Sequence, residues 1–193
     1  MPPPRLGLLG GTFDPPHEGH LDAARRCRDA LGLDRVLLVV ANNPWQKAPS
    51  TPAADRYAMV EAAVEGVDGV EASRLELDRG GPSYTVETVE ALAAGRPAPE
   101  LALVVGADLV PDLGTWHRVD DLRRLVTLAV VSRPGSPRPA APGWRVVHVD
   151  GGGVDVSSSD VRERLARGLP VGGLVPPAVV RCIRRRGLYA VRR

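Results

Sequence analysis

Residues 6–20 read LGLLGGTFDPPHEGH. The apolar run 6–9 is typical of a strand buried on both faces, and a helical pattern begins near Gly19. The paired glycines Gly10 and Gly11 and the histidines His17 and His20 therefore stand where a first strand passes into a first helix. Free N–H groups and the helix dipole make such a junction an anion site, and glycine lets a phosphate approach the backbone. The stretch predicts a phosphate-binding site.

The rest of the chain repeats this alternation of short apolar runs and helical patterns. The predicted strands are 6–9, 36–40, 101–105, 128–131 and 146–149. The predicted helices are 19–31, 55–64, 86–94, 119–125, 157–168 and 176–187. Such alternation favours an α/β fold, a Rossmann-like, doubly wound parallel sheet with helices on both faces and a C-terminal helical extension. We expect one domain over residues 1–193, with the helical part at about 157–193.

Composition narrows the class of protein. The chain has 193 residues, of which 44% are hydrophobic and 25% are charged, as in soluble globular proteins. No apolar run approaches the roughly 20 residues of a membrane span, and the first residues do not resemble a signal peptide. The two cysteines, Cys27 and Cys182, have neither metal nor disulfide spacing, so we expect a reducing, cytoplasmic setting.

Charge gives little indication of a macromolecular partner. The formal net charge is only +2, and the arginine-rich segment 181–193 is interpreted as a solvated helix face followed by a tail. We therefore expect neither nucleic acid nor a membrane as partner. The sequence leaves a homo-oligomer possible.

His17 and His20 are the first candidates for catalysis. Their i, i+3 spacing places both imidazoles on one side of the first helical turn. Imidazole donors beside a helix N-terminus can stabilise charge that develops on a phosphoryl group, and phosphoryl-type transfer needs mainly positioning and charge neutralisation. A metal site on these two residues alone is disfavoured, because the spacing offers no third ligand.

Four further segments each have an ordinary structural interpretation. Ser157 and Asp160 fit a helix N-cap with its reciprocal partner. The segment 78–85 fits a turn that leads into a helix, and Trp116 fits a core aromatic residue. Lys47, the one lysine of the chain, fits a surface residue of a proline-rich loop, but in a loop over a site it could also bind a phosphate.

Two motifs carry a resemblance to a known family. The stretch GGTFDPPHEGH, residues 10–20, resembles the signature of the HxGH nucleotidylyltransferases, and its full length is similar to that of bacterial nicotinate-nucleotide adenylyltransferases. The stretch VSSSDVR, residues 156–162, resembles the family's second motif, Ile-Ser-Ser-Thr/Ser-x-x-Arg. The resemblance extends from Leu6 to Tyr189.

This resemblance implies adenylyl transfer from ATP to nicotinate mononucleotide, with Mg²⁺ bound mainly through the ATP phosphates. The implied catalytic residues are His17, His20, Lys47 and Arg162. The implied ATP-binding residues are Gly10, Gly11, Thr12, Phe13, His17, His20, Gly106, Asp108, Arg133, Ser157, Ser158 and Arg162. The implied acceptor-binding residues are Thr12, Phe13, Lys47, Tyr84, Thr85, Trp116 and His117. No protein ligand to a metal is expected.

The acceptor side departs from the family pattern at two places. Ala41-Asn42-Asn43 stands where the family more often has Pro-Ser/Thr-Gly, and His117 stands where many members have tyrosine. Nicotinamide mononucleotide and phosphopantetheine are therefore alternative acceptors, although Tyr84, Thr85 and Trp116 favour a flat acidic ring. A nucleotide-binding regulator without catalysis is a further alternative, against which the intact histidines and Arg162 argue.

Overall fold

The computed structural model describes residues 2–44, 49–95, 97–133 and 135–189. Its centre is a sheet of six strands, and every neighbouring pair of them is parallel. The strands are β1 (Arg5–Gly11), β2 (Arg35–Val40), β3 (Val70–Ser73), β4 (Glu100–Gly106), β5 (Val126–Ser132) and β6 (Val146–Asp150). Their order across the sheet is β3-β2-β1-β4-β5-β6. This order confirms the predicted doubly wound parallel sheet.

Helices follow each of the strands β1 to β4, and two more follow β6. They are α1 (Glu18–Leu31), α2 (Ala53–Val64), α3 (Leu75–Arg79), α4 (Thr85–Ala93), α5 (Val119–Leu125), α6 (Ser158–Ala166) and α7 (Pro177–Arg186). A 3-10 helix, Ala107–Thr115, follows β4. The predicted proline start and glycine end of the last helix are confirmed, since Pro177 is its first residue and Gly187 closes it with a left-handed backbone (φ 63°).

Two apolar layers enclose the sheet. Successive residues of β2 alternate between them: Leu38 and Val40 pack with α1, α2, α6 and α7, whereas Leu37 and Val39 pack with α4, α5 and the 3-10 helix. The sequence of each central strand is therefore a continuous apolar run, because both faces of the strand are buried. Each fully buried Val or Leu contributes about 1.5–3 kcal/mol through the apolar surface that it removes from water. Helices on both faces and a helical C-terminal part are confirmed.

The sequence did not predict β3, α3 or the 3-10 helix. Strand β3 lies at the sheet edge, and only Val70 of its four residues is buried, so it lacks the apolar run of a central strand. Helix α3 has five residues, too few for an amphipathic period. Pro111 lies inside the 3-10 helix. Proline normally ends a helix, so the sequence of this segment does not predict one.

Candidate functional site

The glycine–histidine segment lies where the strand order reverses. Strands β1 and β4 are neighbours in the sheet, and the connections from them run to opposite sides. In open parallel sheets, ligands bind outside the carboxyl ends of the strands at such a switch point. Strand β1 ends at Gly11 and β4 ends at Gly106, so the segments after these glycines border one crevice.

Gly10 and Gly11 have different structural roles at the end of β1. A Cβ on Gly11 would lie 3.0 Å from the ring of Phe13, so Gly11 is required by packing inside the protein. Phe13 itself has a left-handed backbone (φ 50°) and is 1% exposed. That conformation costs a non-glycine residue about 1–3 kcal/mol, which burial of the ring offsets. A Cβ on Gly10 would meet none of the described atoms within 4 Å, so this glycine faces the open side, where a ligand can approach.

His17 and His20 form a stacked pair at the start of α1. Their ring centroids are 3.6 Å apart with an interplanar angle of 23°, and the ring of Phe13 meets His20 edge-on at 4.9 Å. The backbone N–H of His17 donates to Nδ1 of His20 at 3.2 Å. Because Nδ1 accepts this bond, the proton of a neutral His20 is on Nε2. The i, i+3 spacing thus brings the two imidazoles together, as predicted.

Gly19 is required by the same pair. A Cβ at this position would lie 3.2 Å from Nδ1 and 3.3 Å from Cε1 of His17, closer than ordinary van der Waals contact. Position 19 therefore has to be glycine if the ring of His17 is to stay where it is.

Both imidazoles are held in their neutral form. Burial lowers the pKa of His17 to about 4, and the negative charge of Asp160 only partly opposes this shift. Burial also lowers the pKa of His20 well below its usual value, and the positive charge of a protonated His17 would lower it further. At neutral pH the pair presents N–H donors and carries no positive charge.

Side chains from distant parts of the chain bind the carbonyls of residues 12–15. Nη1 of Arg56 donates to the carbonyl of Thr12 at 2.8 Å, and Nη1 of Arg162 donates to that of Asp14 at 2.7 Å. The hydroxyl of Ser158 donates to the carbonyl of Pro15 at 2.9 Å. Ser158 and Arg162, which the second motif singled out, therefore lie directly against the first motif. The two motifs form one site.

The carboxylate of Asp14 also binds the first motif to distant parts of the chain. It is 3% exposed and accepts bonds from the amide and hydroxyl of Ser50, at 2.6 and 2.8 Å, and from the hydroxyl of Tyr189 at 2.6 Å. Burial favours a raised pKa for Asp14, but hydrogen bonds from Thr51, Tyr189 and Ser50 outweigh it and lower the pKa. Asp14 is thus an anion that ties the first motif to the loop before α2 and to the C-terminal segment.

The start of α6 confirms the N-cap prediction. The hydroxyl of Ser157 accepts a bond from the amide of Asp160 at 3.1 Å and donates to the carboxylate of Asp160 at 2.6 Å. Arg162 also donates to the hydroxyl of Ser159 at 3.2 Å. A guanidinium has five N–H groups, so the two bonds of Arg162 within the described part of the chain leave donors for a ligand.

Two of the predicted acceptor residues are in contact. The rings of Tyr84 and His117 lie 4.3 Å apart between centroids. Tyr84 and Trp116 are partly buried against the core layer that includes α4, and Thr85 begins that helix. These residues come from the segment before α4 and from the end of the 3-10 helix, so the tertiary fold brings together two segments about 30 residues apart.

The remaining predicted residues are placed as follows. Gly106 ends β4, and Asp108 is exposed in the 3-10 helix that follows. Arg133 is exposed after β5 and pairs with Asp155 at 2.8 Å, so its described contact is an ion pair with the segment before α6. Lys47 lies outside the described residues.

Sequence reasoning missed Asp14, Tyr189 and Arg56 as site residues. For Arg56 a signal existed, because the buried positions of α2 are 56, 59, 60 and 63, the spacing of an apolar helix face. An arginine at the first position of such a face indicates a buried guanidinium with a structural task. Asp14 and Tyr189 are 175 residues apart, and no local pattern connects them.

Comparison with known proteins agrees with the motifs. Residues 8–164 match the cytidylyltransferase-like family. A Thermus thermophilus protein described as a probable nicotinate-nucleotide adenylyltransferase is 45% identical over 185 residues, which cover 96% of this chain and 99% of that protein. The chain belongs to this family of nucleotidyltransferase enzymes. A similarly described protein of Saccharopolyspora erythraea is 41% identical over 189 residues, 96% of this chain and 89% of the relative. The resemblance inferred from residues 10–20 and 156–162 is thereby confirmed.

Solved structures support the fold of this adenylyltransferase family member. The Plasmodium falciparum nicotinic acid mononucleotide adenylyltransferase complexed with NaAD superposes with a TM-score of 0.82 at 15% identity, covering 96% of this chain and 97% of that one. A structure described as a putative nicotinate-nucleotide adenylyltransferase from Vibrio parahaemolyticus gives a TM-score of 0.71 at 19% identity, covering 96% and 95%. At such identities the likeness shows the shared architecture.

The described residues contain neither a membrane-spanning helix nor a cluster of metal-binding side chains. Residues 2–44, 49–95, 97–133 and 135–189 contain no helix with the length and apolar character that crossing a membrane requires. In the same residues, no group of three or more His, Cys, Asp or Glu side chains is arranged to hold a metal ion.

Proposed function

We propose that this chain transfers the adenylyl group of ATP to the 5′-phosphate of nicotinate mononucleotide, as a step of NAD biosynthesis. An oxygen of the acceptor phosphate attacks the α-phosphorus in line, the bond from that phosphorus to the β-phosphate oxygen breaks, and pyrophosphate leaves. The products are nicotinate adenine dinucleotide and pyrophosphate. The observation that carries the proposal is the stacked pair of neutral histidines at the switch point of the sheet. The descriptions of the relatives support the choice of acceptor.

The histidines act as hydrogen-bond donors to the reacting phosphates. A neutral His20 carries its proton on Nε2, because Nδ1 is occupied by the backbone N–H of His17. Its donation strengthens as negative charge builds on the phosphate oxygens in the transition state. The N-terminus of α1 adds the positive end of a helix dipole. Catalysis is thus alignment and electrostatic stabilisation, without a covalent intermediate on the protein.

The donor triphosphate would lie between the two motifs. Gly10, whose open side meets no described atom within 4 Å, would form its floor beside Thr12, and the remaining donors of Arg162 face it together with the hydroxyls of α6. Phe13, also expected to bind ATP, is buried and supports this floor from inside the protein. The contacts of Ser158 and Arg162 to the carbonyls of Pro15 and Asp14 support this role, since they fix both residues beside the histidines. We assign Gly106, Asp108 and Arg133 to the nucleoside side of ATP, at the ends of β4 and β5.

Mg²⁺ would be carried mainly by the triphosphate. Asp14, a buried carboxylate of the histidine segment, already accepts bonds from Ser50 and Tyr189, which suits a metal whose ligands are phosphate oxygens and water. When bound, the ion neutralises the charge of the leaving pyrophosphate.

The acceptor would lie on the side of Tyr84, Thr85, Trp116 and His117. The contact between the rings of Tyr84 and His117 supports an aromatic wall that suits a flat pyridine ring. Lys47 would orient the acceptor phosphate as a point charge.

A pyrophosphate-release assay tests the proposal. The chain is mixed with ATP and Mg²⁺ and with one of three acceptors: nicotinate mononucleotide, nicotinamide mononucleotide or phosphopantetheine. We expect the highest kcat/KM with the nicotinate compound. A higher kcat/KM with either other acceptor would refute the acceptor assignment but keep the chemistry. No release with any of the three would refute the enzymatic function and leave a nucleotide-binding protein.

A further inference from the structure

Arg56 has an unusual position for a charged residue. It lies in the first turns of α2, on the face shared with Met59, Val60 and Ala63, and it is 0% exposed. An apolar side chain at this position would be enough to pack that face of the helix against the core. A buried guanidinium is tolerated only when its N–H groups are hydrogen-bonded, so its partners indicate what it does.

Among the described residues, Arg56 has three acceptors, all main-chain carbonyls from separate segments. Nη1 donates to the carbonyl of Thr12 at 2.8 Å, Nε donates to that of Thr51 at 3.0 Å, and Nη2 donates to that of Asn42 at 3.4 Å. Thr12 belongs to the segment that carries the histidines. Asn42 and Thr51 stand near the beginning and the end of the connection between β2 and α2, the connection that carries Lys47. The planar guanidinium of Arg56 thus holds both ends of that connection against the histidine segment.

The same connection holds the segment before α4. The side chain of Asn42 donates through Nδ2 to the carbonyl of Gly81 at 2.9 Å. The amide of Asn43 donates to the hydroxyl of Ser83 at 3.2 Å, and the amide of Ser83 donates to the carbonyl of Asn43 at 3.0 Å. Asn42 and Asn43 belong to the stretch Ala41-Asn42-Asn43, which we expected near the acceptor pocket. Their bonds extend the chain of contacts from Thr12 through Arg56 to the residues that precede Tyr84.

We propose that Arg56 is a positioning residue that fixes the acceptor-binding segments relative to His17 and His20. Through its bonds within the described part of the chain, it would act on the reaction by way of the carbonyls of Thr12, Asn42 and Thr51. In-line attack requires the acceptor phosphate in a narrow range of positions, and a displacement of about 1 Å can slow such a reaction about 10²-fold. The inference rests on the proposed function, because that function defines which segments bind the acceptor.

The decisive variants are Arg56→Lys and Asn42→Ala. Lysine keeps the positive charge but lacks the planar fork, so it cannot hold the three carbonyls in the same geometry. Asn42→Ala removes only the bond from Nδ2 to the carbonyl of Gly81. Arg28→Met is the matched control, since Arg28 also donates to a main-chain carbonyl, that of Asp68, at a place remote from the histidines. For each variant, kcat, both KM values and the melting temperature are measured.

We expect Arg56→Lys to lower kcat/KM for nicotinate mononucleotide by at least 10-fold while the KM for ATP stays within about threefold. Asn42→Ala should raise the KM for nicotinate mononucleotide severalfold with the KM for ATP unchanged. Arg28→Met should lower the melting temperature with both KM values unchanged. In the double variant Arg56→Lys with Asn42→Ala, the loss should be smaller than the product of the single losses, because both act on one chain of contacts.

Two results would overturn the proposal. One is unchanged kinetics in Arg56→Lys and Asn42→Ala. The other is a fall in kcat that follows the folded fraction, with no difference between the KM values for the two substrates. If Arg56→Lys does not fold, Asn42→Ala alone decides, and an unchanged KM for the acceptor refutes the role. An unmodified chain that releases no pyrophosphate would instead refute the proposed function, which separates the two failures.

Discussion

The substitution Gly19→Ala tests whether the position of His17 limits catalysis. In an exposed helix interior, replacing glycine by alanine stabilises a protein by about 0.5–1 kcal/mol. At Gly19 the new Cβ would lie 3.2 Å from Nδ1 and 3.3 Å from Cε1 of His17, so the imidazole has to move by a few tenths of an ångström. Such crowding of a packed side chain typically costs about 1–3 kcal/mol, so the helix gain offsets much of it and a net loss of about 1 kcal/mol is expected. We therefore expect a melting temperature within a few degrees of the original.

Activity should respond much more strongly than stability. Removing an oriented donor from a developing oxyanion costs about 10²–10³ in rate, and a displaced donor should lose part of that stabilisation. We expect kcat to fall about 10-fold or more, which corresponds to about 1.4 kcal/mol of transition-state stabilisation. Pyrophosphate release under saturating substrates measures kcat, and thermal unfolding followed by circular dichroism measures stability.

Gly172→Ala provides the control. A Cβ at Gly172 would meet none of the described atoms within 4 Å, so both activity and stability should remain unchanged. If Gly19→Ala keeps the original kcat, the contact between Cβ and the imidazole does not matter for the reaction. If it loses activity only in proportion to the unfolded fraction, the effect is on folding. Either result would refute the reasoning.

The site supports five further predictions. His20→Ala should lower kcat per folded molecule by about 10² or more, and an unchanged rate in the pyrophosphate assay would remove His20 from the mechanism. Because the neutral imidazoles are the working form and the pKa of His17 is about 4, kcat/KM should show no inflection near pH 6.5 and should fall only at lower pH. The pKa of His17 is near 6.5 in the unfolded chain and about 4 in the folded chain, so its contribution to the free energy of unfolding is fully present above pH 6.5. This contribution, about 3 kcal/mol, should be lost as the pH falls towards 4. Urea unfolding of the original chain and of His17→Gln at several pH values measures the loss. Ser157→Ala should lower the free energy of unfolding by about 1 kcal/mol through the lost N-cap, and equal stability would contradict the cap. Gly10→Ala should fold normally but raise the KM for ATP, since its Cβ points to the open side, and an unchanged KM would place ATP elsewhere.

The sequence predicted the central part of the fold because burial on both faces leaves a local trace. Strands β1, β2, β4 and β5 are continuous apolar runs, and their extent follows from the residues themselves. The edge strand β3 shares only one face with the core and shows no such trace. The histidine pair was also predictable, because i, i+3 neighbours on a helix are set by local geometry.

Long-range contacts explain what the sequence did not predict. The bonds from Arg56 to Thr12 and from Tyr189 to Asp14 join residues 44 and 175 positions apart. Neither pair has a spacing that a single sequence can reveal, since the tertiary fold alone brings them together. The roles of Gly10 and Gly11 illustrate the same limit. Both were predicted to admit a phosphate, but the ring of Phe13 fills the side of Gly11 on which a Cβ would lie.

The bonds to residues 12–15 also bear on the order of folding. The donors Arg162, Ser158 and Tyr189 all follow the last strand of the sheet, whereas the carbonyls and the carboxylate that they bind belong to the segment just after the first strand. The sheet can therefore assemble before these three donors bind the histidine segment, when only the bonds from Arg56 and Ser50 of the earlier part of the chain hold it. A nascent chain gains a working centre only after α6 and α7 have docked, so enzymatic activity in a refolding experiment should return after the sheet signal has recovered.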